Sequence, residues 1–83
     1  MNDKAIIEFK VISKKLSVDL EIPLDISAND LVLALNSAYD LGIDTSDIKN
    51  CYFRAENPIA LLRGSRTLKE FGIRNASVIY FTE

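Results

Sequence analysis

The sequence predicts an α+β roll, with one helix laid across one face of a mixed sheet of four or five strands. Three observations predict it. Up to Ile22 the residues alternate apolar and polar with a period of two. From Leu31 to Leu41 the apolar residues recur at helical spacing. The rest returns to short aromatic and aliphatic runs divided by turn residues. The chain has 83 residues, 48% of them apolar. We expect a single domain over 1–83, because a chain this short buries only about 60% of its unfolded surface.

In the first strand, Ala5 to Ile12, polar Glu8 and Lys10 alternate with inward Ile7, Phe9 and Val11. Ser13-Lys14-Lys15 is a short polar turn. From Leu16 to Ile22 the alternation is strict: Leu16, Val18, Leu20 and Ile22 face one side, Ser17, Asp19 and Glu21 the other. The two runs form an antiparallel hairpin with one wet face. Pro23 ends the second. Ser27 then caps a helix, with Asp30 three residues on and Ile26 and Leu31 placed as a hydrophobic staple. Leu31, Ala34, Leu35, Ala38 and Leu41 are the expected core stripe, and Gly42 the left-handed terminator. Leu33 falls opposite the stripe and Tyr39 on its flank.

Asp44 to Lys49 is a polar connection. Cys51 to Ala55 is a third strand and Asn57-Pro58 a turn. Ile59 to Leu62 is a fourth strand and Gly64 another turn. Thr67 to Phe71 reads as one helical turn capped by Thr67. Ser77 to Thr82 is the last strand, with Ile79 and Phe81 facing inward.

Composition excludes several chemistries. There is no histidine, so Ser-His-Asp triads, Cys-His dyads and histidine metal sites are absent. The one cysteine, Cys51, allows no intrachain disulfide, and it reads as a small core residue. The net charge of −2 opposes a general nucleic-acid binder. The longest apolar run, Leu31 to Leu35, falls far short of the ~20 residues that cross a bilayer. No secretion signal stands at the amino terminus, so an intracellular location is expected and the glycosylation pattern Asn75-Ala76-Ser77 is taken as chance. No cofactor is expected.

The order hairpin, capped helix, two strands, short turn and closing strand resembles the ubiquitin β-grasp. Leu62-Arg63-Gly64-Ser65-Arg66-Thr67-Leu68-Lys69-Glu70-Phe71-Gly72-Ile73 is similar to ubiquitin's own stretch before its last strand. Leu68, Phe71 and Ile73 would plug the open end of the core. Within that superfamily the chain resembles the YukD/EsaB group, ubiquitin-like accessory proteins of bacterial type VII secretion. That resemblance implies a non-catalytic cytoplasmic role. It also implies protein partners among the cytoplasmic regions of the secretion system's membrane subunits.

Conjugated ubiquitins and sulfur carriers such as ThiS and MoaD act through a carboxy-terminal Gly-Gly. Here the ending is Phe81-Thr82-Glu83, and the three glycines, Gly42, Gly64 and Gly72, stand apart. The expectation is a ubiquitin-like fold without covalent conjugation. A modifier or carrier, and an adaptor domain of another pathway, are the alternatives.

Such a protein works by surface contact. With Cys51 and Phe53 inward, Tyr52 and Arg54 face solvent. With Ile79 and Phe81 inward, Tyr80 joins them on the open sheet face. Tyr52, Arg54 and Tyr80 are the candidate protein-binding residues, of the types that dominate interface energetics. The alternative is ordinary sheet surface, where β-propensity alone favours tyrosine. Charge is uneven: residues 1–48 carry four basic and nine acidic side chains, residues 49–83 six basic and three acidic.

Overall fold

The computed structural model describes residues 3–82, and of Lys49 the backbone alone. Strands β1 (Lys4–Val11) and β2 (Leu16–Pro23) pair antiparallel, with Phe9 opposite Val18 and Val11 opposite Leu16, so their apolar sets share one face. The connection is a 3-10 turn, Ile12–Lys14, closed by Lys15 in the left-handed region at φ 51°. Lys14 Nζ donates to the carbonyls of Tyr39 (3.2 Å) and Asp40 (3.0 Å). A cation thereby sits on the carbonyls that end the helix, where its charge is favourable.

Helix α1 (Ala28–Tyr39) starts as predicted, with the Asp30 N–H donating to Ser27 Oγ at 3.1 Å. Its buried face differs from the predicted stripe. Ala28, Leu31, Val32 and Leu35 are buried, while Ala34 and Ala38 are exposed. The apolar arc of the helix is wider than the strip of it that is buried. The bulkier Val32 takes the contact and two methyl groups stay outside. Tyr39 packs on Phe9, ring centres 5.4 Å apart. The helix ends at Asp40 (φ 53°) rather than at Gly42. Aspartate is one of the few residues that visits the left-handed region readily. Asn36 then folds the exit back, its side chain accepting from the Ile43 N–H (3.0 Å) and donating to the Ile43 carbonyl (3.3 Å).

A 3-10 stretch, Thr45–Asn50, kinked at Asp47, leads to β3 (Phe53–Glu56), β4 (Ala60–Leu62) and β5 (Val78–Phe81). The predicted strands are right in number: the first and third are shifted by one or two residues, the second runs one residue further to Pro23, and the last two are shorter than expected. The sheet order is β2-β1-β5-β3-β4, with β5 parallel to β1 and every other pair antiparallel. The last strand is therefore central, and the α+β class is as expected.

Residues 67–72 form a single turn, with the Phe71 N–H donating to the Thr67 carbonyl at 3.2 Å and Thr67 as its cap. The Thr67 N–H donates to Glu70 Oε1 (3.0 Å) and the Glu70 N–H to Thr67 Oγ1 (3.2 Å), a reciprocal capping box. Leu68 and Ile73 are buried and Phe71 half-buried, closing the core as the resemblance implies. Main-chain bonds from Ala28 to Arg66 (3.0 Å) and from Leu68 to Ile26 (3.0 Å) tie this segment to the start of the helix. An aromatic chain runs through the core, Tyr39 to Phe9 to Phe53 to Phe81, with steps of 5.4, 5.6 and 5.9 Å. Asn75 of the apparent glycosylation pattern serves the fold, its Oδ1 accepting from the Ile6 N–H at 2.8 Å.

Candidate functional site

Helix α1 covers one sheet face and leaves the other open. The strand registers place residues side by side across that open face. Ser17, Lys10, Tyr80, Arg54 and Leu61 form one row over all five strands. Asp19, Glu8, Val78 and Glu56 form the next. The first row sets two cations about a tyrosine, and the second carries three carboxylates. Ser17 Oγ donates to Glu8 Oε2 at 2.6 Å and links the rows.

The three residues singled out from sequence do meet. Arg54 and Tyr80 are register partners on adjacent strands. Tyr52 lies two residues before Arg54, hence on the same side of the pleat. Tyr52 and Arg54 are exposed and Tyr80 half-buried. All three line one shallow pocket of about 470 Å³, shared with Asp44, Asp47 and Phe81. The side chains of Lys10 and Arg54 make no ion pair or hydrogen bond with other described residues.

Leu61 and Lys10 of this face, and Ile59 in the turn before β4, escape a sequence reading. Leu61 is 42% exposed while its neighbour Leu62 is fully buried. Both belong to an unbroken apolar run, so periodicity has nothing to distinguish them. Ile59 is 91% exposed beside them. Lys10 faces outward as its alternation implies, but only the parallel pairing of β1 with β5 sets it beside Tyr80.

Beneath the pocket rim, Cys51 is buried, its Sγ 3.3 Å from the Asp44 carbonyl and 3.4 Å from that of Asp47. Burial pushes its thiol pKa up, and the carboxylates of Asp47 and Asp44 add to the effect. A thiol held protonated is a poor nucleophile. Hydrogen bonds from the Ser46 hydroxyl and N–H hold the Asp44 carboxyl below the usual range, so that side chain serves as a local cap. No group of three metal-ligating side chains occurs among the described residues. No helix among them is long and apolar enough to cross a membrane.

Comparison with solved structures places this fold among ubiquitin-like domains. The ubiquitin-like domain of tubulin-binding cofactor B superposes with a TM-score of 0.75 at 19% identity, covering 96% of this chain and 89% of that one. The C-terminal ubiquitin-like domain of mouse tubulin-specific chaperone e gives 0.73 at 10% identity, over 95% and 84%. The ubiquitin-like domain of the Mycobacterium tuberculosis type VII secretion system protein ECCD1 gives 0.54 at 13% identity, over 98% and 99%. At these identities the likeness is one of fold. Comparison with curated proteins gives no match. The family model of YukD, a protein of the WXG100 protein secretion system, matches residues 6–80, nearly the whole ubiquitin-like fold described above. The chain belongs to the YukD family.

Proposed function

We propose that this protein is a single, non-catalytic ubiquitin-like domain that serves a bacterial type VII secretion system as a cytoplasmic accessory. It acts by non-covalent contact with cytoplasmic regions of the system's membrane subunits, in assembly or regulation. The observation that carries this reading is the family match over residues 6–80. The open sheet face supports contact as the mechanism. Tyr52, Arg54 and Tyr80 adjoin there, and the Arg54 guanidinium is left for a partner's acceptor. The face is preformed, so docking needs little rearrangement. The absence of a Gly-Gly pair from the sequence supports the non-conjugated reading.

Affinity capture of the tagged protein, divided between native and fully denaturing washes, tests this. Secretion-membrane subunits should be recovered under native conditions only. Tyr52→Ala with Tyr80→Ala should lose them while the melting temperature stays within a few degrees. Partners that survive denaturation would establish a covalent linkage and overturn the proposal. Native capture unaffected by the double substitution would move the contact off this face.

A further inference from the structure

The two outer strands of the sheet are unequal. Strand β4 has three residues, too short to template another chain, whereas β2 has eight. The hydrogen bonds of β1 show which groups of β2 are left over. The Glu8 N–H donates to the Ser77 carbonyl and the Ile6 carbonyl accepts from the Ala76 N–H, each at 3.0 Å. The even-numbered residues of β1 therefore aim their main-chain groups toward the β5 side. Ile7, Phe9 and Val11 aim theirs at β2, where they face Leu20, Val18 and Leu16. Successive residues of a strand point their main-chain groups to opposite sides. Ser17, Asp19 and Glu21 thus aim N–H and C=O away from the sheet, and no described residue bonds to them.

Side chains along this edge are equally unfinished. Leu16, Val18 and Leu20 are only half-buried, although their partners on β1 are fully buried. The helix flank nearest them bears the exposed Ala34 and Ala38. Asn29 and Asn36, on the opposite flank, are bonded to Gly64 and Ile43 on the β3–β4 side of the molecule. An apolar trough therefore lies between β2 and α1. The other face of the edge strand is acidic, where Asp19 and Glu21 stand exposed.

We infer that the outer edge of β2 receives an extended segment of a protein partner as a sixth strand, with apolar side chains in the trough alternating with lysine or arginine opposite Asp19 and Glu21. The period of two supplies that alternation, and the free main-chain groups of Ser17, Asp19 and Glu21 supply the ladder. Charge selects the occupant. Two copies of this edge would set carboxylates against carboxylates, a destabilising cross-strand arrangement. A basic strand makes the opposite pairing. The inference stands apart from the contact proposed at Tyr52, Arg54 and Tyr80, since it uses the main chain of the β2 edge and none of those three residues.

The probe is an end-blocked eight-residue peptide of alternating lysine and valine, with an alternating glutamate and valine peptide as control. Amide exchange and chemical shifts of the labelled protein are the readout. At millimolar concentration the lysine peptide should slow exchange at Ser17, Asp19 and Glu21 at least tenfold. Its shifts should fall on Leu16 to Glu21 and on Ala34 and Ala38, and the glutamate peptide should do neither. Asp19→Lys with Glu21→Lys should weaken binding at least tenfold. Asp19→Pro removes one outward N–H and should weaken it too, with Val18 and Leu20 exchange unchanged as proof that the hairpin stands. If that variant does not fold, the charge variant carries the test. Equal binding of both peptides, no protection of the three amides, or shifts confined to Tyr52, Arg54 and Tyr80 would overturn the inference. Protection that appears with protein concentration alone would assign the edge to a second copy and overturn it as well.

Discussion

The first half of the chain places its residues in three long elements, two strands of eight and a helix of twelve. The second half makes strands of four, three and four residues, joined by loops that side chains hold in shape. In the first half, repetition does the organising: each added pair of residues brings one more apolar group to the core and one more polar group to water. In the second, single contacts do it. Asp44 caps the Thr45–Asn50 stretch. Thr67 and Glu70 cap each other. Buried Ser77 donates to the Asn57 carbonyl at 2.6 Å and accepts from the Arg74 N–H at 3.0 Å. Each member of the repeated pattern buries a whole apolar side chain, whereas each singular contact is one or two hydrogen bonds. Substitutions should therefore cost most in the shared core, next along the repeated pattern and least at the singular contacts.

The largest effect belongs where the halves meet. Phe53 touches Phe9 on one side and Phe81 on the other. Phe53→Ala should cost about 3–5 kcal/mol in denaturant unfolding, a large share of the roughly 4–12 kcal/mol available to a domain this size. A cost below about 1 kcal/mol would break the picture of one core joining two halves.

Next comes the phase of the helix. Leu35→Ala should cost roughly 2–5 kcal/mol, whereas Ala34→Ser and Ala38→Ser should stay within about 0.5 kcal/mol. Equal losses at the two kinds of position would restore the predicted stripe. Ser77→Ala then tests the singular contacts, since it leaves the Asn57 carbonyl and the Arg74 N–H without their shared hydroxyl. Chemical denaturation should show a loss of about 1–3 kcal/mol.

The smallest effect is the capping box. Thr67→Ala should lower stability by about 0.5–2 kcal/mol. Two bonds from Thr67 hold the Glu70 carboxyl below the usual carboxylate range. A carboxyl depressed in the native state adds stability above its unfolded pKa, about 4.3. That contribution is lost as pH falls through the native value. The melting temperature of the parent should thus drop more steeply below about pH 4.3 than that of Glu70→Gln. Parallel curves would remove the carboxylate from the account.

The hairpin was legible because a period of two survives any tertiary context that buries one face. The start of the helix was legible because Ser27 acts on an N–H three residues away. Tyr52, Arg54 and Tyr80 could be assigned one face by alternation alone. Local pattern could not set strand order. Nothing near Val78 to Phe81 specifies that it enters between β1 and β3, parallel to one and antiparallel to the other. That insertion makes Lys10 a neighbour of Tyr80, and the register of β4 on β3 leaves Leu61 exposed while Leu62 is buried.

Sequence by itself determined the long elements, the starting caps at Ser27 and Thr67 and the inward and outward sets of the hairpin, because those depend on interactions within a few residues. The tertiary structure decided which neighbours share the open face, which part of the helix's apolar arc was covered, and that β2 would keep a free edge. Those depend on pairings between residues as far apart as Glu8 and Val78, and on how much surface one helix can shield.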